Sequence, residues 1–353
     1  MTAWPPSLRI VALMPPASRW LTAAVLLTTA ACSSSLSEEE IATRDEFYSR
    51  AVQYYDVGRY PQAEQQARQG LSLDDQDPML NLIAGRAILM QATLPKLAAA
   101  RPYLEIALAE LPDDQRSKAS FSLAQYHLIY GRELLSHVQR ERRAMEQNPN
   151  ADAVQREKSN ANLDEREDRA RDHFDEAARY AADAVEEAPD SLQHLEVQGQ
   201  IAALRGDDAL AFQTLNRALE LLAESRAFLN RTLGFSTDLP VGEEQRLRSR
   251  LLSDIQREIA VRGVMASLYK RQGRLPDEEQ QYTLMLRLDE RLSTVYYSRG
   301  MVRHDLGRIP EAAEDMREFL MRTDLDPGAQ QVAQAVDILH EHERLQPQPV
   351  GGI

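Results

Sequence analysis

A glycine followed two positions later by an aromatic or branched residue, or more loosely by an acidic one, and three beyond that by an alanine, recurs along the chain. It stands as Gly58, Tyr60 and Ala63, as Gly206, Asp208 and Ala211, and as Gly307, Ile309 and Ala312. Each set closes a helix-turn-helix hydrophobic pattern about 34 residues long, a period of stacked supersecondary units and not of one central core. A chain built this way grows by adding units, so its 353 residues predict one elongated all-α domain instead of two globules. Aromatic residues make up only 6% of the chain, and its abundant Ala, Leu, Glu, Arg and Gln are strong helix formers, which argues against a sheet-rich fold.

The first unit, Arg44 to Asp77, carries Phe47, Ala51 and Tyr54 on one helix and Ala63, Ala67, Gly70 and Leu71 on the next. Small residues let the two helices approach while Phe47, Tyr54 and Leu71 fill the space between them. Five further segments hold related sets. Pro78 to Pro112 offers Gly85, Ala100, Ala107 and Leu108; Ser191 to Leu222 offers Leu195, Gly199, Gly206, Ala211, Ala218 and Leu219. Ile259 to Glu290 keeps Ala266, Tyr269, Gly273 and Leu286 but has Glu278 where alanine is expected, and Arg291 to Thr323 keeps Gly300, Gly307, Ala312 and Leu320. This pattern resembles the tetratricopeptide repeat, and the resemblance implies an α-solenoid of about six helix pairs.

The third unit is split. Leu123 and Ala124 mark its first helix and Ala177, Ala181, Ala184 and Val185 its second, with a block dense in Arg, Lys, Glu and Asp at 132–172 between them. A gap of about 40 residues is too long for an ordinary loop, so we expect both helices to extend into a charged hairpin turning at Asn148-Pro149-Asn150. Leu134, Val138 and Met145 would be its contact stripe; the competing reading of that block is disorder. Repeats one to four then occupy 41–222. Gly234, Ser236, Pro240 and Gly242 predict a loop or hinge at 223–242, ahead of repeats five and six at 243–323. Val332, Ala335, Val336 and Leu339 predict a capping helix within 324–345, with Asp326-Pro327 at its start, and 346–353 reads as a disordered tail.

At the other end, Trp20 to Ala31 is apolar, preceded by Arg9 and Arg19 with no acidic residue, and about 12 residues are too few to span a bilayer. We read 1–31 as a signal peptide. It runs into Thr29-Ala30-Ala31-Cys32, which resembles the bacterial lipobox, with Thr29 where leucine is usual and Cys32 as the only cysteine. That resemblance implies lipidation of Cys32, and Ser33 after it implies sorting to the outer membrane; an ordinary secreted protein cut near the same place is the alternative. The polar stretch 32–40 would be a flexible tether.

A net charge of −14 argues against nucleic-acid binding, which needs clustered cations. No phosphate loop or nucleophile elbow is present, so we expect neither an enzyme nor a cofactor. His340 and His342 in His340-Glu341-His342-Glu343 are two apart and point to opposite sides of a helix, so they do not share a metal; His127, His137, His173, His194 and His304 are isolated in sequence. The family resemblance implies that first helices line a concave groove for a peptide or partner helix. By register Tyr48, Val52 and Tyr55, then Leu82, Arg86 and Leu89, then Tyr297, Met301 and His304 should face it, or else pack against a neighbouring helix. Tyr48 and Val52 stand where some members carry a carboxylate clamp, so a C-terminal carboxylate is not the expected ligand. The sequence therefore predicts a non-catalytic, lipid-anchored periplasmic adaptor that binds other envelope proteins or peptides. A soluble repeat protein and an envelope enzyme with a site dispersed in sequence remain as alternatives.

Overall fold

The computed structural model describes residues 36–91, 94–147, 153–235 and 240–345. The segment 1–31 read as a signal peptide, Cys32, the turn expected at Asn148-Pro149-Asn150 and the tail expected at 346–353 lie outside the described residues. Those described form thirteen α-helices and no strand. They pair as α1 (Glu38–Asp56) with α2 (Tyr60–Leu71), α3 (Pro78–Leu89) with α4 (Leu94–Glu110), and α5 (Asp113–Glu146) with α6 (Ala153–Glu187). Then come α7 (Leu192–Arg205) with α8 (Asp208–Phe235), α9 (Val241–Arg271) with α10 (Leu275–Leu288), α11 (Ser293–Asp305) with α12 (Ile309–Arg322), and α13 (Gln330–Leu345) alone.

Every helix packs on the next in sequence, and first helices also touch the first helix of the following pair at α1–α3, α3–α5, α5–α7, α7–α9 and α11–α13. Among the described residues no second helix touches another second helix, so the first helices form the tighter, inner row of a curved stack. The row has one break. No Cα of α9 comes within 8 Å of α11, and α10 alone joins those two repeats.

Four of the six pairs share one turn. Gly58, Gly206, Gly273 and Gly307 have φ of +75°, +81°, +69° and +75°. The amide of the next residue reaches five residues back in each, Arg59 to Tyr54 at 2.8 Å, Asp207 to Ala202 at 2.9 Å, Arg274 to Tyr269 at 2.9 Å and Arg308 to Arg303 at 2.8 Å. That bond satisfies an orphan carbonyl at the helix end, and its left-handed residue is glycine because a Cβ there costs about 1–2 kcal/mol. The first and second helices then meet through small residues. A methyl group on Gly85 would lie 2.5 Å from Cδ2 of Leu104, while Ala51, Ala63, Ala67, Ala100 and Ala107 are fully buried. Between them Leu80, Leu104, Leu123, Leu215 and Phe319 are under 2% exposed and each contributes roughly 1.5–3 kcal/mol.

In the third pair α5 and α6 have 34 and 35 residues, so the charged block is helical up to Glu146 and again from Ala153. Val138, Leu163, Ala170 and Phe174 are buried along the contact, with Leu134 beside them and Met145 half-buried nearer the tip. Arg142 pairs with Asp164 at 2.8 Å and Glu167 at 2.6 Å, and Arg166 with Glu141 at 2.9 Å. Exposed pairs of this kind are worth at most about 1 kcal/mol each, so the buried stripe carries the arm.

Three expectations change. The hinge at 223–242 is mostly helix: α8 runs to Phe235 and α9 starts at Val241. Leu229 is fully buried, Ser225 donates to Asp254 at 2.7 Å and Arg226 pairs with Glu258 at 2.6 Å, so packing on α9 prolongs α8 through Gly234 to Phe235. A second helical arm results. Because α8 ends where α9 begins, it leaves the stack at the edge opposite to that of α5 and α6. The tether expected over 32–40 ends sooner, since Ser37 and Glu40 form a reciprocal capping box that starts α1 at Glu38. The capping helix, in turn, begins at Gln330 and not at Pro327, because Asp326 closes a turn onto the amides of Gly328 and Ala329.

Candidate functional site

In five of the six first helices the residue at the register facing the second helix is small: Ala51, Gly85, Gly199, Ala266 and Gly300. The next residue, turned by about 100°, comes round toward the inner row. These are Val52, Arg86, Gln200, Ser267 and Met301.

At the first junction Tyr48, Val52 and Tyr55 are half-buried against Leu80, Ile83 and Ala84 of α3. The Arg86 guanidinium lies 4.8 Å above the Tyr55 ring, and Tyr60 meets that ring edge-on at 5.4 Å. Burial, reinforced by Asp77, pushes the Tyr48 hydroxyl above its ordinary range and keeps it protonated. Leu82 and Leu89 do not belong to the groove. They are 3% and 2% exposed, because α5 docks on α3 and encloses them with Leu97, Leu104, Leu123 and Tyr126. The last three residues meet a helix and not an open groove. Tyr297 hydrogen-bonds Gln334, Met301 packs in the α12–α13 cluster, and His304 Nε2 lies 2.9 Å from Glu341. The nine residues thus fall into two groups at opposite ends of the stack.

Between those ends the inner row opens into a cleft of about 290 Å³ that register alone did not single out. Arg132 of α5, Gln200, Ala203 and Leu204 of α7, and Val264, Ser267, Leu268 and Arg271 of α9 line it. Ala203 and Leu268 are its buried floor, and Leu204 is 42% exposed at the rim. Arg271 is committed: it donates to the Ala203 carbonyl at 2.9 Å and pairs with Asp208. Gln200 and Ser267 occupy the same register as Arg86 and Met301, which was the available signal. Arg132 was not findable that way, since it lies on α5 just beyond the point where other first helices turn.

The histidines isolated in sequence are partly brought together. His127 of α5 and His173 of α6 approach Nδ1 to Nδ1 at 3.0 Å, ringed by Tyr126, Tyr130 and Tyr180. Burial first, then the neighbouring ring and arginines, pushes His127 down to about 3, and burial lowers His173 as well. Arg101, Arg169 and Arg179 face the same concavity together with Asp172 and Glu176. Among the described residues no set of three or more His, Cys, Asp or Glu side chains is placed to hold a metal.

A family model for the tetratricopeptide repeat matches residues 166–226, from within α6 through most of α8. None of the curated proteins matches the sequence. Among solved structures the chain is similar to PilF of Pseudomonas aeruginosa, at 13% identity over 85% of this chain and 99% of that one, with a TM-score of 0.50. It is similar to PilW, described as a widely conserved type IV pilus biogenesis factor, at 14% identity over 83% and 98%, TM-score 0.50. TTC0263, a tetratricopeptide protein of Thermus thermophilus, gives 17% identity over 73% and 98%, TM-score 0.43. At such identities the likeness is one of fold. The family match over residues 166–226, the recurring glycine turn and the single inner row of first helices together give the described residues the tetratricopeptide-repeat architecture.

Proposed function

We propose that the chain is a non-catalytic scaffold, lipid-anchored through Cys32 at the bacterial outer membrane and facing the periplasm, which gathers proteins of an envelope assembly on its inner face. The observation that carries the scaffold reading is the cleft between α5, α7 and α9, whose lining of apolar, amide and cationic groups suits a polypeptide. The anchor and the compartment rest on Thr29-Ala30-Ala31-Cys32-Ser33 and the apolar leader before it. Pilus or secretion, barrel-assembly and cell-wall machinery are the candidate partner sets, and the shared fold of PilF and PilW makes pilus assembly the first to test.

The test is expression of the full chain and of Cys32→Ser in a bacterial envelope, with radioactive fatty-acid labelling, cross-linking and affinity recovery. The expected result is label on the wild type alone and a reproducible set of envelope proteins, diminished by Leu204→Glu. Absence of label would favour the soluble reading, and absence of any stable partner would remove the scaffold role.

A further inference from the structure

We propose that the cleft between α5, α7 and α9 selects a partner segment carrying an apolar side chain next to a carboxylate, with the carboxylate engaging Arg132. This rests on the scaffold reading and gives its inner face a ligand chemistry.

The charge pattern carries the inference. The chain has a net charge of −14, yet no Asp or Glu lines this cleft, and its two charged groups are both guanidiniums. They differ in availability. Arg271 is held by Asp208 and by the Ala203 carbonyl, so it shapes the wall. Arg132 is exposed and makes no ion pair among the described residues. Its position follows from the long arm. In other repeats the residue after the turn glycine, Arg59, Arg274 or Arg308, is spent as the residue preceding the second helix. Gly131 instead stays inside α5, against the Phe174 ring, so Arg132 remains on a helix and overhangs the inner row. Leu204, Val264 and Leu268 below it offer an apolar seat, with Gln200 and Ser267 able to bond a peptide backbone. An Arg–carboxylate contact beside a desolvated apolar anchor gives charge-assisted hydrogen bonding together with surface burial. A basic or purely apolar segment would leave Arg132 either repelled or desolvated without a partner.

Phage display of a random dodecapeptide library on the purified full chain tests this. Enriched sequences should place Asp or Glu within two positions of Leu, Ile, Met or Phe. A fluorescein-labelled synthetic copy should lose about tenfold or more in affinity with Arg132→Glu and with Leu204→Glu. Helicity by circular dichroism should be unchanged in both variants, which separates lost contact from lost fold. Enriched sequences without an acidic bias, or binding indifferent to both substitutions, would overturn the assigned chemistry and leave the scaffold reading standing. No enriched sequence at all would overturn both.

Discussion

Nδ1 of His127 and Nδ1 of His173 face each other at 3.0 Å across α5 and α6, so a single proton is shared between two neutral rings at the root of the charged arm. Both pKa values are lowered by burial, that of His127 to about 3, and burial lowers that of His194 too. Below the ordinary histidine value of about 6.5 the unfolded chain therefore takes up protons that the folded chain refuses. Stability should be fully present above about pH 6.5 and decline on acidification, by up to about 1.4 kcal/mol per pH unit for each such site. Urea denaturation at several pH values between 7.5 and 5 should show that decline, and His127→Phe should make it shallower. Equal slopes in the two proteins would exclude the pair as the source.

Two glycines should respond differently to the same added methyl group. At Gly85 it meets the fully buried Leu104 at 2.5 Å, which predicts a loss of about 1–3 kcal/mol for Gly85→Ala from overpacking. At Gly206 nothing lies within 4 Å and only the φ of +81° opposes it, so Gly206→Ala should lose about 1–2 kcal/mol and leave the neighbouring packing intact. Calorimetric melting gives both values, and unchanged melting temperatures would contradict the turn and packing roles assigned to them.

Burial should separate two carboxylates that both hold arginines. Asp315 is 2% exposed and pairs with Arg299 at 2.7 Å and Arg303 at 3.0 Å; Asp315→Ala strands the Arg299 guanidinium while Glu279 still holds Arg303, and should cost about 3–5 kcal/mol. Glu244 pairs with Arg248 at 2.7 Å on an open surface, and Glu244→Ala should cost less than about 1 kcal/mol. Denaturation midpoints of the two variants decide this, and similar losses would refute the distinction.

The long arm should open on its own. Leu163, 1% exposed, is a main apolar contact in its outer half, so Leu163→Ala should speed amide hydrogen exchange in the outer parts of α5 and α6 and leave α1 to α4 at wild-type rates. Uniform acceleration along the whole chain would show that arm and stack unfold together.

Much of this architecture is legible because each structural role uses a distinctive residue. The left-handed turn demands Gly58, Gly206 or Gly307, and close helix approach demands Ala51, Gly85 or Gly199 at the matching register. Reading failed where two local signals compete. Gly234 and Pro240 suggested a hinge, but Ala223, Glu224, Ala227 and Leu229 favour helix, and Ser225 and Arg226 among them gain partners in α9. Ser37 and Glu40 looked like part of a polar tether, although their three-residue spacing is a capping signature. On the inner face, register placed Leu82, Arg86 and Leu89 on one side of a helix without revealing that α5 would bury the two leucines. Burial of that kind depends on the neighbouring helix, whose approach no single-helix pattern contains. The cleft was hidden for a related reason, since it is assembled from three first helices and from the prolongation of one of them.

The break between α9 and α11 has a mechanical consequence. Elsewhere adjoining repeats are braced along two chords, so bending them means compressing side chains on the inner one. At this junction the inner brace is missing, and the load passes through α10, where Glu279 grips Arg303 at 2.8 Å and also Arg308. The structure yields first at that joint, so the repeats upstream of α10 and the terminal helices can alter their separation without any helix pair coming undone.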